Sequence, residues 1–395
     1  MEEGRLNKVL FLLKNGIGFG HFKRALIIAD ALKDRGVEVI FISQAKSYDI
    51  FKNRGFKVFN FPMVEQAATN NEQLIFYELL NFLIDKINPD VVIEDTYPDE
   101  YYLSLPSVRY RSKLLILRRL NSQGIFNYIK TGLFSEYSKI IVLQNKEDFI
   151  LKQKYDLNKL CLNSDKFEFA GDVFDKISNI NLKSRKKYCE EDEKLVVINC
   201  GAGGLQIGED FVLKLFHRVI NVIPELQIKM KNKIKFIIVS GPYTNFNLDN
   251  DYMKKNNVEI YRYLSSLSEL FSISDLNIIR PGYNSTMESI SGYAQTILIP
   301  SISFMEDQLE WCNELKCKYN VDYLTTEDDD SLIRCILKNL NEKKEKFDIH
   351  NYVYEVADKI CSFKEKHISS KKEICLCGNY KMQNMTLMKR NAIHN

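Results

Sequence analysis

Residues 280–288 combine glycine, hydroxyl, amide and carboxyl side chains between two apolar runs. Arg280-Pro-Gly-Tyr-Asn-Ser-Thr-Met-Glu288 follows Leu276-Asn-Ile-Ile279 and precedes Thr296-Ile-Leu-Ile299. A helix that begins here offers unpaired backbone N–H groups and the positive end of its dipole, and Gly282 lets the backbone approach an anion without a Cβ. Glu288, one turn further, can accept hydrogen bonds from a hydroxyl pair such as a ribose diol. The stretch therefore predicts a site for a nucleotide, in particular a nucleotide-sugar.

The same residues allow a second interpretation. Ser285 and Glu288 have the spacing of a Ser-x-x-Glu capping box, which begins many helices that bind no ligand. The segment taken alone leaves both interpretations open.

A second glycine-rich turn, Asn15-Gly-Ile-Gly-Phe-Gly-His-Phe-Lys-Arg24, follows the first apolar run of the chain. The third glycine of the dinucleotide fingerprint would fall at position 21, where this chain has His. The second apolar run ends in Phe41-Ile-Ser-Gln44, without the acid that holds the ribose of NAD. Both observations argue against NAD.

His21 in this turn is the candidate general base. A neutral imidazole at a helix start can take a proton from an attacking hydroxyl. Asp95 ends another apolar run, Val91-Val-Ile-Glu-Asp95, and would orient His21 through its second ring nitrogen. The alternatives are that His21 only satisfies its own turn, and that Asp95 is a turn or N-cap acid before Tyr97-Pro98.

Parallel strands are the elements that would carry these turns. Short apolar runs alternate with amphipathic stretches in the first half, as is typical of strands buried on both faces of a sheet. These runs are residues 9–13, 37–42, 91–93, 114–117 and 140–143. Residues 22–35 have helical spacing and end at Gly36.

After a lysine-rich passage at 181–194 the pattern restarts, with apolar runs at 195–198, 236–239, 258–260, 276–279 and 296–299. We therefore expect an α/β protein of two Rossmann-like, doubly wound domains, residues 1–180 and 190–345. A C-terminal helix (346–368), which overlaps a stretch of helical character from 331 to about 366, and a polar, basic tail (369–395) would follow. Two such domains leave a cleft between the carboxyl ends of their strands, where ligands bind.

Composition narrows the class of protein. The length of 395 residues, 45% of them hydrophobic, suits two domains. The net charge is +3, from 55 Lys and Arg against 52 Asp and Glu, and does not indicate nucleic-acid binding. Nine scattered cysteines favour reduced thiols over disulfides. No apolar run has the length of a membrane span and the N-terminus lacks signal-peptide features, so we expect a cytoplasmic protein, with peripheral contact at the inner membrane face left open.

The two glycine turns together carry a family resemblance. Gly16-x-Gly-x-Gly-His-x-x-Arg24, with Arg280-Pro-Gly-Tyr-Asn-Ser-Thr-x-Glu288 and Gln308, resembles GT-B glycosyltransferases. Within that fold class the chain looks similar to the enzymes that add N-acetylglucosamine to the lipid-linked peptidoglycan precursor and to predicted bacterial glycosyltransferases with a Gly-His-x-x-Arg turn. The resemblance covers the two-domain body and implies that its domains face each other across a cleft.

The resemblance implies a nucleoside diphosphate sugar, in particular a UDP-sugar, bound mostly by the second domain. Glu288 would bind the ribose, Gln308 with Asp307 the sugar, and the backbone at Tyr263 and Leu264 the base. The implied diphosphate contacts are Gly282, Asn284, Ser285 and Thr286. Arg280, Gly18 and Gly203 are further donor-binding candidates, although the loop Gly201-Ala-Gly-Gly204 also fits a plain tight turn.

The implied reaction is direct attack of an acceptor hydroxyl or amine on the anomeric carbon, with inversion, with His21 as base and with phosphate contacts that stabilise the leaving diphosphate. The resemblance implies that a helix dipole takes the role that a metal ion has in other enzymes, so we expect no obligatory metal or other cofactor. A hydrolase that cuts nucleotide-sugars with water shares this architecture and stays an alternative. A protein that only binds nucleotide-sugars is disfavoured because His21, Glu288 and Gln308 are all present.

Basic residues flank the apolar run 114–117. Arg109-Tyr-Arg-Ser-Lys113 precedes it and Arg118-Arg119 follows it. They could receive an anionic acceptor or a membrane surface, or they could be the solvated ends of a strand. The identity of the acceptor and the oligomeric state stay open, and no nucleic-acid partner is expected.

Overall fold

The computed structural model describes residues 6–13, 19–44, 49–61, 69–118, 122–152, 164–176, 182–201, 206–231, 233–242, 244–265, 267–301, 307–342 and 347–363. The predicted tail, residues 369–395, lies outside this part of the chain.

The first half forms a seven-stranded parallel sheet in the order β3-β2-β1-β4-β5-β6-β7. Its strands are β1 (Lys8–Leu13), β2 (Glu38–Ser43), β3 (Lys57–Asn60), β4 (Val91–Asp95), β5 (Ser112–Leu117), β6 (Lys139–Val142) and β7 (Phe167–Phe169). All five runs that the sequence predicts are strands. The sequence missed the edge strands β3 and β7, whose short, partly exposed segments carry no apolar run.

Helices cover both faces of this sheet. They are α1 (Phe19–Lys33), α2 (Asp49–Asn53), α3 (Asn70–Ile87), α4 (Glu100–Ser104), α5 (Pro106–Arg109), α6 (Ser122–Lys130) and α7 (Lys146–Lys152). The helix predicted at 22–35 is α1. Gly36 follows it at φ +76°, a conformation that glycine adopts without a steric cost.

The second half repeats the design with a six-stranded parallel sheet, in the order β10-β9-β8-β11-β12-β13. Its strands are β8 (Lys194–Asn199), β9 (Ile234–Val239), β10 (Val258–Tyr261), β11 (Leu276–Ile279), β12 (Gln295–Leu298) and β13 (Asp322–Tyr323). Its helices are α8 (Gln206–Lys229), α9 (Asn250–Lys255), α10 (Leu267–Ile273), α11 (Tyr283–Ser291), α12 (Gln308–Tyr319) and α13 (Asp329–Asn341). This is the strand order of a Rossmann fold.

The helical segment predicted at 331–366 is wrong as a single element. The chain forms α13 and then α14 (Val353–Cys361), because the residues before α14 pair with residues 171–176 instead of continuing a helix. Tyr352 N donates to Asp172 O at 2.9 Å, and Asn351 Nδ2 donates to Phe174 O at 2.7 Å.

The last helix, α14, returns to the first domain and packs on α1. Val356 and Ile360 are fully buried in the core between the first sheet and α1, and Arg35 Nε lies 2.6 Å from Asp358 Oδ1. None of the helices in the described ranges is long and apolar enough to span a membrane.

Candidate functional site

The candidate residues lie where the strand order of each sheet reverses. In the first sheet β1 and β4 are neighbours, and His21 follows β1 while Asp95 ends β4. In the second sheet β8 and β11 are neighbours, and the stretch from Arg280 to Glu288 follows β11. Ligands of doubly wound sheets bind outside the carboxyl ends of the strands at such points.

The hydrogen bond expected between His21 and Asp95 is present. His21 Nδ1 lies 2.9 Å from Asp95 Oδ1, and Thr96 Oγ1 donates to the same oxygen at 2.6 Å. Arg24 clamps the carboxylate, donating from Nε to Oδ2 at 2.7 Å and from Nη2 to Oδ1. Because Asp95 engages Nδ1, Nε2 is the ring nitrogen left for a substrate. The catalytic roles of both residues stay predictions.

Burial and charge set the protonation of this pair. Burial lowers the pKa of His21 below 6.5, and the charge of Arg24 works in the same direction while Asp95 opposes it. Burial alone would raise the pKa of Asp95, but the Arg24 charge and the His21 hydrogen bond hold it well below its ordinary value. At neutral pH a neutral imidazole therefore faces an ionised carboxylate, which is the state that a general base needs.

The N-terminus of α11 differs from a capping box. Gly282 is its N-cap without a side-chain hydrogen bond, and Thr286 N donates to Gly282 O at 2.9 Å. Ser285 is therefore the third residue of the helix, so the Ser-x-x-Glu cap is wrong as an interpretation of this segment. A Cβ built on Gly282 would have as its nearest neighbour Arg280 O at 4.0 Å, so the approach to this helix start is open.

Three oxygens along α11 lack a partner among the described residues although they are buried. They are Asn284 Oδ1, Thr286 Oγ1 and Glu288 Oε1. Buried polar atoms in folded proteins nearly always form hydrogen bonds, so this concentration on one short helix indicates a place where a ligand or ordered water completes the structure.

Contacts between α1 and α11 bring the two switch points together. Asn284 Nδ2 donates to Gly20 O at 2.9 Å, and one turn further along both helices Lys23 Nζ lies 2.6 Å from Glu288 Oε2. Beside them, Tyr283 Oη donates to Asp172 Oδ1 at 2.6 Å. The pair formed by His21 and Asp95 thus shares one cleft with the start of α11.

Glu288 is a buried carboxylate in an unusual electrostatic setting. Its residue is 3% exposed, and this burial raises the pKa of its carboxyl to about 7, although Lys23 opposes the shift. A ligand that donates hydrogen bonds to the ionised form would stabilise that form further.

Arg280 and Gln308 share Ser301. Arg280 Nε donates to Ser301 Oγ at 2.8 Å, while Ser301 N donates to Gln308 Oε1 at 2.8 Å. Asp307 is the N-cap of α12 and accepts from Glu310 N at 2.9 Å.

The loop after β10 carries Tyr263, which is 46% exposed, and Leu264, which packs against the core of the second domain. Gly18 and Gly203 lie outside the described residues. Among the residues that are described, no group of three or more His, Cys, Asp or Glu side chains is arranged to hold a metal ion.

The site also contains two basic residues, Lys23 and Arg24, to which the sequence assigned no role. Arg24 lies three positions after His21, a spacing that puts both on one helix face and could have indicated their contact. Lys23 has no such signal, because its partner Glu288 is 265 positions away. Arg118, one of the basic residues that flank the run 114–117, follows β5, and burial and the nearby charge of Arg24 lower its pKa to about 10. Its predicted contact with an acceptor or a membrane stays a prediction, and Arg119 lies outside the described residues.

Arg109, Arg111 and Lys113 lie at the other end of β5, with Lys113 inside the strand. Arg111 Nη1 donates to Pro89 O at 2.8 Å, and Lys113 Nζ donates to Arg109 O at 2.9 Å. The side chains of Arg111 and Lys113 thus donate to backbone carbonyls of the first domain, away from the cleft.

Comparisons with known proteins agree with this architecture. Residues 213–372 match the family model of the glycosyltransferase family 28 C-terminal domain. The glycotransferase of kitacinnamycin superposes with a TM-score of 0.60 at 12% identity, covering 90% of this chain and 98% of its own. The chain has the GT-B fold.

Two further solved structures share the GT-B fold. UGT89C1 of Arabidopsis thaliana, complexed with UDP, gives a TM-score of 0.59 at 12% identity and covers 89% of this chain and 98% of its own. The UDP-GlcNAc 2-epimerase of Methanocaldococcus jannaschii gives 0.57 at 14% identity, covering 90% and 99%. No curated protein sequence matches the chain.

The resemblance to GT-B glycosyltransferases is thus confirmed, and the family model together with the fold supports a glycosyltransferase. The epimerase in the same fold shows that the fold alone does not fix the reaction. The nearer likeness to the enzyme of the peptidoglycan precursor stays a prediction.

Proposed function

We propose that this protein transfers a sugar from a nucleoside diphosphate sugar, in particular a UDP-sugar, to an acceptor hydroxyl or amine with inversion. The observation that carries the proposal is the meeting of two features in one cleft. His21 with Asp95 supplies a neutral base, and α11 supplies a helix start with three unpartnered buried oxygens. The family model over residues 213–372 and the complex of UGT89C1 with UDP support the choice of donor.

In this proposal the second domain holds the donor. The diphosphate lies against the start of α11 at Gly282, where N–H groups and the helix dipole favour negative charge. Glu288 Oε1 and Asn284 Oδ1 accept hydrogen bonds from hydroxyls of the donor. Arg280 and Gln308, joined through Ser301, lie towards the sugar.

The first domain supplies the base and, as a further proposal, one side of the acceptor site. His21 Nε2 takes the proton of the acceptor as its oxygen or nitrogen attacks the anomeric carbon, and the bond to the diphosphate oxygen breaks. The Asp95 carboxylate stabilises the imidazolium that forms. The positive end of α11 stabilises the negative charge on the leaving nucleoside diphosphate, so the proposed reaction requires no divalent ion.

The test is an assay of nucleotide release. Purified protein is incubated with a panel of UDP-sugars and other nucleoside diphosphate sugars, with and without cell extract as the source of acceptor, and free nucleotide and free sugar are measured. Nucleotide release that requires extract and leaves no free sugar is the expected result. Free sugar without extract would instead favour hydrolysis, and failure to bind any nucleotide-sugar would refute both.

Cytoplasmic location and contact with the inner membrane face are further proposals, which fractionation of cells would test. We propose that residues 190–345 bind the donor and residues 1–180 the acceptor. Substitutions in α11 should therefore change donor affinity more than substitutions at His21.

A further inference from the structure

Lys23 and Glu288 form an ion pair between the two domains. Lys23 Nζ lies 2.6 Å from Glu288 Oε2, and the lysine side chain is 26% exposed whereas that of the glutamate is 1% exposed. The contact leaves Glu288 Oε1 without a partner among the described residues. One oxygen of this carboxylate is therefore occupied by the first domain while the other is available to a ligand.

From this geometry we propose that Lys23 is a positioning residue for the donor: it acts through Glu288, keeping the hydroxyl-binding carboxylate of the second domain ionised and oriented. The inference rests on the proposed function and deepens it. It assigns to the first domain a part in donor binding, because the charge that Glu288 needs comes from α1.

Glu288 needs Lys23 because burying a charge has a large free-energy cost. An ionised carboxylate without a counter-charge is unfavourable in a buried site and takes up a proton instead. A protonated carboxyl loses the charge-assisted hydrogen bonds that an ionised one accepts from hydroxyls, which are about twice as strong as neutral ones. Lys23 is the cation in contact with Glu288, so its removal should leave the carboxyl neutral when the donor arrives.

The other groups around Glu288 do not replace Lys23. Asp175, from the segment 171–176, carries a like charge, and its Oδ2 lies 3.7 Å from Lys23 Nζ and accepts from Ser268 Oγ of α10 at 2.9 Å. Tyr263, from the loop after β10, faces Lys23 within electrostatic range. The charge of Lys23 is the strongest influence that lowers the pKa of the Glu288 carboxyl, and a backbone hydrogen bond from Asp175 acts more weakly in the same direction.

The test is equilibrium binding of UDP-glucose and UDP-N-acetylglucosamine by calorimetry between about pH 6 and 8.5. The diphosphate of these donors is a diester that does not titrate near neutrality, so the pH profile reports the protein. In the wild type, affinity should fall as the pH drops through about 7, the pKa of Glu288. In Lys23→Met, affinity near neutral pH should fall about tenfold and recover at higher pH, because the pKa of Glu288 rises.

A double-mutant cycle separates this role from direct contact with the diphosphate. Lys23→Met should weaken binding in the wild type but have almost no further effect in a Glu288→Gln background, where there is no carboxylate to ionise. Lys23→Arg should restore most of the affinity, and Lys33→Met, on the same helix but far from α11, is the matched control.

The possible results distinguish failure of the role of Lys23 from failure of the proposed function. Equal, pH-independent losses from Lys23→Met in both backgrounds would show direct contact with the ligand and overturn the inference alone, as would unchanged affinity. Absence of binding by the wild type would overturn the proposed function and the inference with it.

Discussion

Replacement of Asp95 by Asn is the most direct test of the proposed pair of His21 and Asp95. The carboxylate receives four contacts, from Arg24 Nε, Arg24 Nη2, Thr96 Oγ1 and His21 Nδ1. Asn has nearly the same size as Asp. Its amide nitrogen, however, donates hydrogen bonds, so it would face one of these four donors instead of accepting from it. The change also leaves Arg24, which is fully buried, without a counter-charge.

The expected magnitude follows from burial. Breaking a buried ion pair by removing one partner costs about 3–5 kcal/mol, so Asp95→Asn should lower the free energy of unfolding by about 3 kcal/mol or more. It should also lower kcat by about 10²–10⁴-fold, because neither the tautomer of His21 nor its imidazolium is stabilised. Donor affinity should stay near that of the wild type.

Urea unfolding followed by circular dichroism measures the first quantity, and nucleotide release at saturating donor measures the second. The matched control is Asp85→Asn, whose carboxylate is 72% exposed and 3.8 Å from Arg111, and which should cost less than about 1 kcal/mol. If Asp95→Asn unfolded like this control and kept its turnover, both the buried clamp and the orienting role would be refuted.

His21→Ala should lower kcat by about 10²–10⁴-fold while calorimetry finds donor affinity unchanged, and wild-type kcat should begin to fall only below pH 6.5, since burial lowers the pKa of this base. Full turnover in the variant would exclude it as the base. Glu288→Ala should weaken donor binding about 10–100-fold, the value of a charge-assisted hydrogen bond; unchanged affinity would remove it from the site. Gly171→Ala should lower the free energy of unfolding by about 2 kcal/mol, because φ is +87° and a Cβ would lie 2.3 Å from the Tyr352 ring; unfolding at wild-type urea concentrations would contradict this.

The strands and the contact of His21 with Asp95 could be predicted because they depend on local sequence patterns and on the strand order of the fold. Ten apolar runs became ten strands, since buried parallel strands need little beyond continuous hydrophobicity. The contact of His21 with Asp95 was predictable because each residue follows or ends a strand, and β1 and β4 are neighbours in a doubly wound sheet.

What the sequence could not predict depends on distant partners. Glu288 looks like half of a capping box until Gly282 is seen to begin the helix and Lys23 to occupy one carboxylate oxygen. The residues before α14 have helical composition, but pairing with residues 171–176 prevents a continuous helix. In both cases a contact across more than 150 positions outweighs the local pattern.

The packing of α14 on α1 has a consequence for how the protein folds during its synthesis. Its side chains Val356, Ala357 and Ile360 fill a hydrophobic surface made by residues synthesised some 320 positions earlier, as the contact of Arg35 with Asp358 illustrates. On the ribosome, the amino-terminal domain therefore keeps an apolar face uncovered until the whole second domain has been translated. An exchange of amino-terminal domains between related proteins would have to include two pieces of chain, the leading one and this last helix.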